Sequence, residues 1–244
     1  MKSYLYDFHI HTCLSPCADD DMTPNNIVNM ALLAGLDVIA VTDHNTTGNV
    51  RAVVEAGKRS GLLVIPGIEL TVSEEFHLVC LFPDCDTAER FDSIIAESTP
   101  PLLNNENIFG KLVLMDSEDH VTAQEPRLLS NASSLSVSAA FKLVHKMAGA
   151  CFPAHIDRPA YGILSSLGFF PEELDFCACE LAQDNPIDEL IEKRGLPENI
   201  LILKNSDAHQ LSKIGIRETW ISLDFLSAKS VIEKLNTPLS EPLI

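Results

Sequence analysis

Histidine and carboxylate residues repeatedly follow the apolar runs of this 244-residue chain. Six of its eight histidines lie in short patterns that suit metal ligation. These patterns are His9-Ile10-His11, Thr42-Asp43-His44, Gly67-Ile68-Glu69, the lone His77, Ala154-His155 and Ser206-Asp207-Ala208-His209. Most of them come after an apolar run that predicts a β-strand. Because parallel strands present their carboxyl ends at one edge, we expect these side chains to meet in a multinuclear metal site.

The first third of the chain alternates between predicted strands and predicted helices. Thr23-Pro24 is a typical helix start, with Thr23 as the N-cap and Pro24 in the first turn. A β-α-β-α-β order predicts parallel strands joined by right-handed crossovers. The predicted elements are strand Tyr4–Phe8, a helix from Thr23 to about Gly35, strand Leu36–Val41, helix Gly48–Ser60, strand Leu62–Ile65 and strand Phe76–Phe82.

The stretch from about residue 84 to residue 138 has a different pattern. A predicted helix, Thr87–Glu97, is followed by Pro100-Pro101 and by two short runs, Lys111–Met115 and His120–Ala123, that resemble a hairpin. We interpret this stretch as an insertion at the mouth of a barrel, within a single domain of residues 1–244. Alternation then resumes with helix Val137–Ala148, strand Ala150–Ala154, helix Ala160–Leu167, strand Leu174–Leu181, helix Pro186–Arg194, strand Ile200–Leu203, strand Trp220–Leu223 and helix Ser227–Leu235.

Composition restricts the class of protein. Hydrophobic residues make up 46% of the chain and charged residues 21%, which is typical of a globular domain with a full core. The net charge of −18 predicts that long nucleic acids are not partners, because their phosphates would be repelled. The seven cysteines do not have the spacing of a secreted disulfide framework. Neither a signal peptide nor a membrane-spanning run is apparent, so we expect a cytoplasmic protein.

The ordered motifs resemble those of the PHP (polymerase and histidinol phosphatase) superfamily. The matching segments are HIHT after the first strand, TDH after the second, GIE after the third, a histidine in the next strand, then AH and SDAH. The resemblance covers nearly the whole chain. It implies an α/β fold, a distorted seven-stranded (β/α)7 TIM-like barrel, in which up to three divalent ions serve the hydrolysis of phosphate esters.

The same resemblance implies a set of ligands. One ion would be held by His9, His11, Glu69 and Asp207, a second by Glu69, His77 and His155, and a third by His44, His209 and an acidic residue of the first loop. Counting back from Thr23-Pro24 indicates Asp19 for that acidic residue. The loop Ser15–Asp21 is about three residues longer than the common pattern, so Asp20 is an alternative.

The expected chemistry follows from the ions. A water or hydroxide that bridges two ions acts as the nucleophile, and the ions neutralise charge on the phosphoryl oxygens. Mixed imidazole and carboxylate ligands suit Zn, Mn or Fe, with Mg also compatible. Asp43 is expected to support the site by holding the ligands in place without binding an ion itself. Arg158 is a candidate for binding a substrate phosphate through its planar guanidinium group. The alternative is that Arg158 is an exposed loop arginine without a role in binding.

The substrate predicted from sequence is a small phosphorylated metabolite or nucleotide. Two alternatives stay open at this point. The same ions could support C–N bond hydrolysis of the amidohydrolase type, or the chain could be a non-catalytic, metal-stabilised binding module. The sequence gives no indication of the oligomeric state.

Overall fold

Strands and helices alternate along most of the chain. The computed structural model describes residues 1–183 and 185–243, and within them lie ten strands and eight α-helices. The strands are β1 (Lys2–Ile10), β2 (Val38–Val41), β3 (Leu63–Thr71), β4 (His77–Leu81), β5 (Val113–Met115), β6 (Val121–Gln124), β7 (Ala150–Pro153), β8 (Ala178–Glu180), β9 (Leu201–Leu203) and β10 (Trp220–Leu223). The helices are α1 (Pro24–Leu33), α2 (Val50–Ser60), α3 (Cys85–Ser98), α4 (Glu106–Phe109), α5 (Val137–Lys146), α6 (Ile163–Ser166), α7 (Ile187–Arg194) and α8 (Ala228–Leu235).

The main sheet has the order β10-β1-β2-β3-β4-β7. Strands β1, β2 and β3 run parallel, as the β-α-β-α-β pattern predicts, because α1 and α2 cross over between them. Strand β4 follows β3 through a short link and therefore runs antiparallel to it, and β7 is antiparallel to β4. The carboxyl ends of β1, β2, β3 and β7 consequently share one edge with the amino end of β4.

Strands β8 and β9 form a separate parallel pair against the inner face of the curled main sheet. Ala178 and Leu203, from this pair, belong to the same buried cluster as Phe8 and Phe152. Helices α1 and α2 pack on the outer face of the parallel strands. The α/β class is thus confirmed, whereas the seven-fold (β/α) count stays a prediction.

Local sequence signals account for several boundaries. The Thr23 hydroxyl accepts a hydrogen bond from the backbone N–H of Asn26, so the predicted cap of α1 is confirmed. Helix α3 begins two residues before the predicted start, because Asp84 caps it by accepting from the N–H of Thr87. The predicted strand Leu174–Leu181 is shorter than expected. Leu174 and Phe176 are buried, but they lie in turns before β8.

The stretch between α3 and α5 contains the predicted hairpin, since β5 pairs antiparallel with β6. Its strands are short, and β6 is exposed along its whole length. Asn49, directly before α2, holds the hairpin. Its side chain donates to the carbonyl of Val113 (3.1 Å) and accepts from the N–H of Met115 (2.8 Å). The interpretation of residues 84–138 as an insertion in a single domain stays a prediction.

None of the helices in the described part of the chain is both long and apolar enough to cross a membrane. The cytoplasmic location stays a prediction.

Candidate metal centre

Eight side chains with metal-binding atoms meet at the sheet edge where β1, β3 and β7 end and β4 begins. They are His9, His11, His44, Glu69, His77, His155, Asp207 and His209. Each was a ligand candidate from sequence. His77, which the sequence places inside the predicted strand Phe76–Phe82, is the first residue of β4, and the antiparallel direction of β4 places it at this edge.

The first group of donors comprises His9, His11, Glu69 and Asp207. The Nε2 atoms of His9 and His11 lie 3.3 and 3.2 Å from Asp207 Oδ1, and 3.2 and 3.3 Å from Glu69 oxygens. Ligand bonds of about 2.0–2.2 Å at tetrahedral angles separate the ligand atoms by about 3.3–3.6 Å. The spacing therefore fits four ligand atoms around one cation.

Hydrogen bonding does not account for these atoms. His9 Nε2, His11 Nε2 and Asp207 Oδ1 are buried, and within the described part of the chain none has a hydrogen-bond partner of good geometry. Leaving buried polar atoms without partners costs about 1–3 kcal/mol each. Their convergence in a closed site fits a divalent cation, which would satisfy all of them together.

Glu69 is the shared carboxylate of the cluster and is 1% exposed. Its Oε1 lies 2.9 Å from His77 Nδ1 and 3.1 Å from His155 Nε2, while its Oε2 lies 2.9 Å from His44 Nδ1. A carboxylate with imidazoles on both oxygens can bridge two cations. This geometry matches the bridging role that the family resemblance implies for Glu69.

A third group brings His11, His44 and His209 together. The ring of His11 lies 4.6 Å from that of His44 and 4.0 Å from that of His209, measured between centroids. Asp19 and Asp20 are exposed, and neither joins a group of convergent donors among the described residues. The backbone N–H of Asp19 donates to the carbonyl of His209 (2.9 Å), so this loop lies beside the group. Asp19 as a ligand stays a prediction.

Backbone geometry explains how ligands from distant parts of the chain come together. The N–H of His11 donates to the carbonyl of Ala208 (2.9 Å), and the N–H of Ala208 donates to the carbonyl of His9 (3.2 Å). This bridge fixes the SDAH loop against the end of β1. His155 and Asp207 have φ values of 30° and 51°, a left-handed conformation that is costly for residues with a Cβ. Such strain concentrates at functional sites.

Asp43 lies behind the donors and does not face them. Its carboxylate accepts hydrogen bonds of 2.7 Å from the N–H and hydroxyl of Thr12 and from the hydroxyl of Ser15. The Ser15 hydroxyl also lies 2.9 Å from His11 Nδ1. Asp43 is therefore linked to His11 through Ser15, and its supporting role stays a prediction.

Glu180 was missed by the sequence analysis. Its buried carboxylate lies 2.9 Å from His9 Nδ1 and accepts from the Asn205 side chain (2.8 Å) and the His155 N–H (3.2 Å). It thereby holds two ligands. The available signal was a carboxylate at the end of an apolar run, the same signal that indicated Glu69.

Arg158 lies at the rim of the cluster. Its Nη2 is 2.6 Å from Asp207 Oδ2, and its side chain is 42% exposed. An adjoining cavity of about 480 Å³ is lined by Arg158, Ser165, Lys193 and others. The guanidinium thus lies at the edge of the site, and its N–H groups on the exposed side do not contact Asp207.

The carboxylates dominate the electrostatics of the cluster. Burial favours neutral rings, but Glu69 and the other carboxylates outweigh it, raising the pKa of His11 and His44 to about 9 and that of His9 well above its usual value. Burial together with His11 lowers the pKa of His209 to about 3. Despite their burial, the carboxylates of Glu69 and Asp207 have a lowered pKa because of the histidines around them. Cations that bind at this cluster would take the place of protons on the rings.

Comparison with known proteins identifies relatives of this architecture. The family model of the PHP domain matches residues 7–172. The 5'-3' exoribonuclease Rnm of Salmonella typhimurium is 38% identical over 82 residues, which are 32% of this chain and 27% of that protein. The 3',5'-nucleoside bisphosphate phosphatase of Chromobacterium violaceum is 32% identical over 73 residues, 30% of this chain and 25% of that protein. The matched stretches thus span about a quarter of each curated relative.

A solved structure extends the likeness to nearly the whole chain. Endonuclease Q, in complex with a 27-mer duplex substrate that has an abasic lesion at the active site, matches with a TM-score of 0.69 and 16% identity. The match covers 98% of this chain and 58% of that one. At this identity the likeness concerns the fold.

The prediction that excluded long nucleic acids was wrong. A relative by sequence is named an exoribonuclease, and a structural neighbour holds a DNA duplex. The physical error was to use the net charge of the whole surface, because binding depends on the local field, where bound cations are the largest charges.

The motifs, the geometry of the cluster and the family match over two thirds of the chain agree. The chain belongs to the PHP domain family.

Proposed function

We propose that this protein hydrolyses phosphate esters at the donor cluster, using divalent cations. The observation that carries the proposal is the convergence of His9, His11, Glu69 and Asp207 at ligand-to-ligand spacing, with buried atoms that no hydrogen bond satisfies. When bound, divalent cations make water a nucleophile at neutral pH and stabilise charge on phosphoryl oxygens.

The residues at the cluster have two roles towards the ions. Up to three ions would be held by His9, His11, His44, Glu69, His77, His155, Asp207 and His209, with Asp19 as the candidate from the first loop. Glu180 and Asp43 orient ligands through hydrogen bonds to His9 and, by way of Ser15, to His11. Zn, Mn and Fe suit this donor set best, with Mg compatible.

Arg158 favours a phosphate over an amide as the substrate group. Guanidinium presents five N–H donors, and only Nη2 is engaged by Asp207. The remaining donors, on a side chain that is 42% exposed, can bind a phosphoryl oxygen beside the ions. A neutral amide would gain less from a fixed positive charge at this position, so phosphoester hydrolysis is preferred to C–N hydrolysis.

We further propose that the phosphate belongs to a nucleotide. The sequence relatives named above act, by their names, on RNA and on nucleoside bisphosphates. Both have a phosphate ester on a ribose, so the ester class is shared although the length of the substrate differs.

The test combines ion analysis with phosphate release. Purified protein is loaded with Mn, Zn or Mg and assayed on nucleotides, nucleoside bisphosphates, short 5'-phosphorylated RNA and simple phosphomonoesters. We expect bound ions and cation-dependent release, lost in His9→Ala and Asp207→Ala but kept in Glu233→Gln, an exposed residue on α8. Folded protein that binds no cation under any loading condition would overturn the proposal. Bound cations without turnover of any phosphate ester would overturn its catalytic part.

A further inference from the structure

A thiol from the first loop lies against the third histidine group. Cys17 Sγ is 3.3 Å from His44 Nε2, although Cys17 is exposed, as are Asp19 and Asp20 of the same loop. The other cysteines are buried or half-buried elsewhere in the fold. The first-loop atom beside the third histidine group is therefore a sulfur, whereas the family resemblance implies a carboxylate ligand from this loop.

The orientation of His44 directs a lone pair towards that sulfur. His44 Nδ1 lies 2.9 Å from Glu69 Oε2, which favours the tautomer that carries the proton on Nδ1. Nε2 is then the nitrogen free to bind a cation, and Nε2 is the atom that faces Cys17. A carboxylate behind an imidazole, with the cation in front, is a common arrangement at zinc sites.

The distance between the two atoms also suits ligation. With a Zn–S bond of about 2.3 Å and a Zn–N bond of about 2.0–2.1 Å, tetrahedral geometry separates sulfur and nitrogen by about 3.5 Å. The observed 3.3 Å needs little adjustment. A cavity of about 200 Å³ adjoins both residues and is also lined by His77 and Tyr161.

A second observation indicates a ligand at this place. His11 Nε2 is fully buried and has no hydrogen-bond partner among the described residues, and the donor atoms of His11, His44 and His209 all lie within 4.8 Å of one another. The sulfur thus extends a group of convergent donors that shares its unsatisfied atom, His11 Nε2, with the first group.

We propose that Cys17 supplies a sulfur ligand, together with His44 and His209, to the cation of the third group. The thiol releases its proton to solvent when the cation binds. Sulfur with imidazole favours Zn²⁺ and Co²⁺ over Mg²⁺ and Mn²⁺, so this ion site would be softer than the site formed by His9, His11, Glu69 and Asp207. The proposal rests on cation binding as set out under Proposed function.

The test uses Co²⁺, because cobalt bound to cysteine sulfur absorbs in the near ultraviolet by charge transfer. We expect this band in the Co²⁺-loaded wild-type protein and in Cys85→Ser, whose half-buried thiol lies at the start of α3. Cys17→Ser should lose the band and a bound ion. Cys17→Asp should also lose the band but recover the ion, since a carboxylate can replace the thiolate as ligand.

Two variants separate this proposal from its rival. If Asp19→Asn or Asp20→Asn removes an ion while Cys17→Ser keeps both the ions and the band, the first-loop ligand is the carboxylate and the proposal fails. Wild-type protein that binds cations and releases phosphate without the band would overturn the role of Cys17 alone. Wild-type protein without any bound cation would overturn the proposed function as well.

Alkylation gives an independent readout. Iodoacetamide should modify Cys17 in the metal-free protein, and saturating Zn²⁺ should suppress this modification, with half-buried Cys177 as the internal reference. Equal labelling of Cys17 with and without Zn²⁺ would contradict ligation by its sulfur.

Discussion

The donor cluster and the hairpin segment, here residues 99–136, are neighbours that are built in opposite ways. The cluster comes from strand ends far apart in sequence, and its side chains are almost entirely buried. The hairpin segment is local in sequence, and its strand β6 is exposed throughout. It is attached by side-chain hydrogen bonds, such as those between Asn49 and the backbone of Val113 and Met115, and by a small buried cluster of Leu14, Leu112 and Leu129.

The difference concerns how precisely each region is positioned. Ligand atoms must be held to within a fraction of an ångström, and the backbone ladder of the sheet supplies that accuracy. The hairpin segment does not need this accuracy, and a segment with few attachments can open locally at a small cost in free energy. We therefore expect changes in the cluster to alter ion binding and chemistry strongly, and changes in the hairpin segment to alter local stability mainly.

The largest effect is expected for Glu69→Gln. The amide cannot bridge cations as the carboxylate does, and cations contribute several kcal/mol to catalysis, so turnover should fall by about 10³-fold or more. Ion content and phosphate release measured together test this, with the exposed Glu97→Gln as the matched control. Near-normal turnover in Glu69→Gln would contradict the expectation that changes in the donor cluster affect chemistry more than changes in the hairpin segment.

Ion affinity should depend steeply on pH. The pKa of His11 and His44 is raised to about 9 in the metal-free protein, so at pH 7 a cation must displace protons from these rings. Affinity should therefore rise with pH and level off above about pH 9, by about tenfold per pH unit for each proton displaced. Chelator competition between pH 6 and pH 9 measures it. A flat profile would mean that the rings are neutral before binding.

Glu180→Gln should have an intermediate effect. The carboxylate orients His9 and supports its ring, and loss of such partners typically lowers metal affinity or activity by about 10–100-fold. The glutamine keeps the shape and can still accept from Asn205, so the fold should persist. The exposed Glu173→Gln is the control. An unchanged ion affinity would show that Glu180 stabilises the buried core without affecting the metal ligands.

The smallest effect is expected for Asp119→Gly in the hairpin segment. The Asp119 carboxylate accepts from the Thr23 hydroxyl (2.8 Å) and the Asn25 N–H (3.0 Å), which ties the hairpin to α1. Its φ of 65° suits glycine, so mainly these bonds are lost, and unfolding free energy should fall by about 1–2 kcal/mol. Amide exchange in β5 and β6 should accelerate while ion content is unchanged. Loss of an ion would show that the hairpin segment positions ligands.

Much of the architecture was predictable because its signals are local. The capped start of α1, the parallel β1–β3 unit and the β5–β6 hairpin follow from residues near each element. The direction of β4, which is antiparallel to both β3 and β7, was less accessible, because strand direction depends on how short links fold back. Net charge misled the assignment of partners, since it has no positional information.

The sequence by itself determined which residues can ligate cations and in what order they occur, because donor chemistry belongs to each side chain. Only the tertiary structure decided which donors meet. It joined His77 to Glu69 through an antiparallel strand, placed Glu180 behind His9, and brought Cys17 Sγ to 3.3 Å from His44 Nε2. The reason is physical: contacts between distant strand ends depend on sheet order, strand direction and backbone conformation, which the spacing of motifs does not specify.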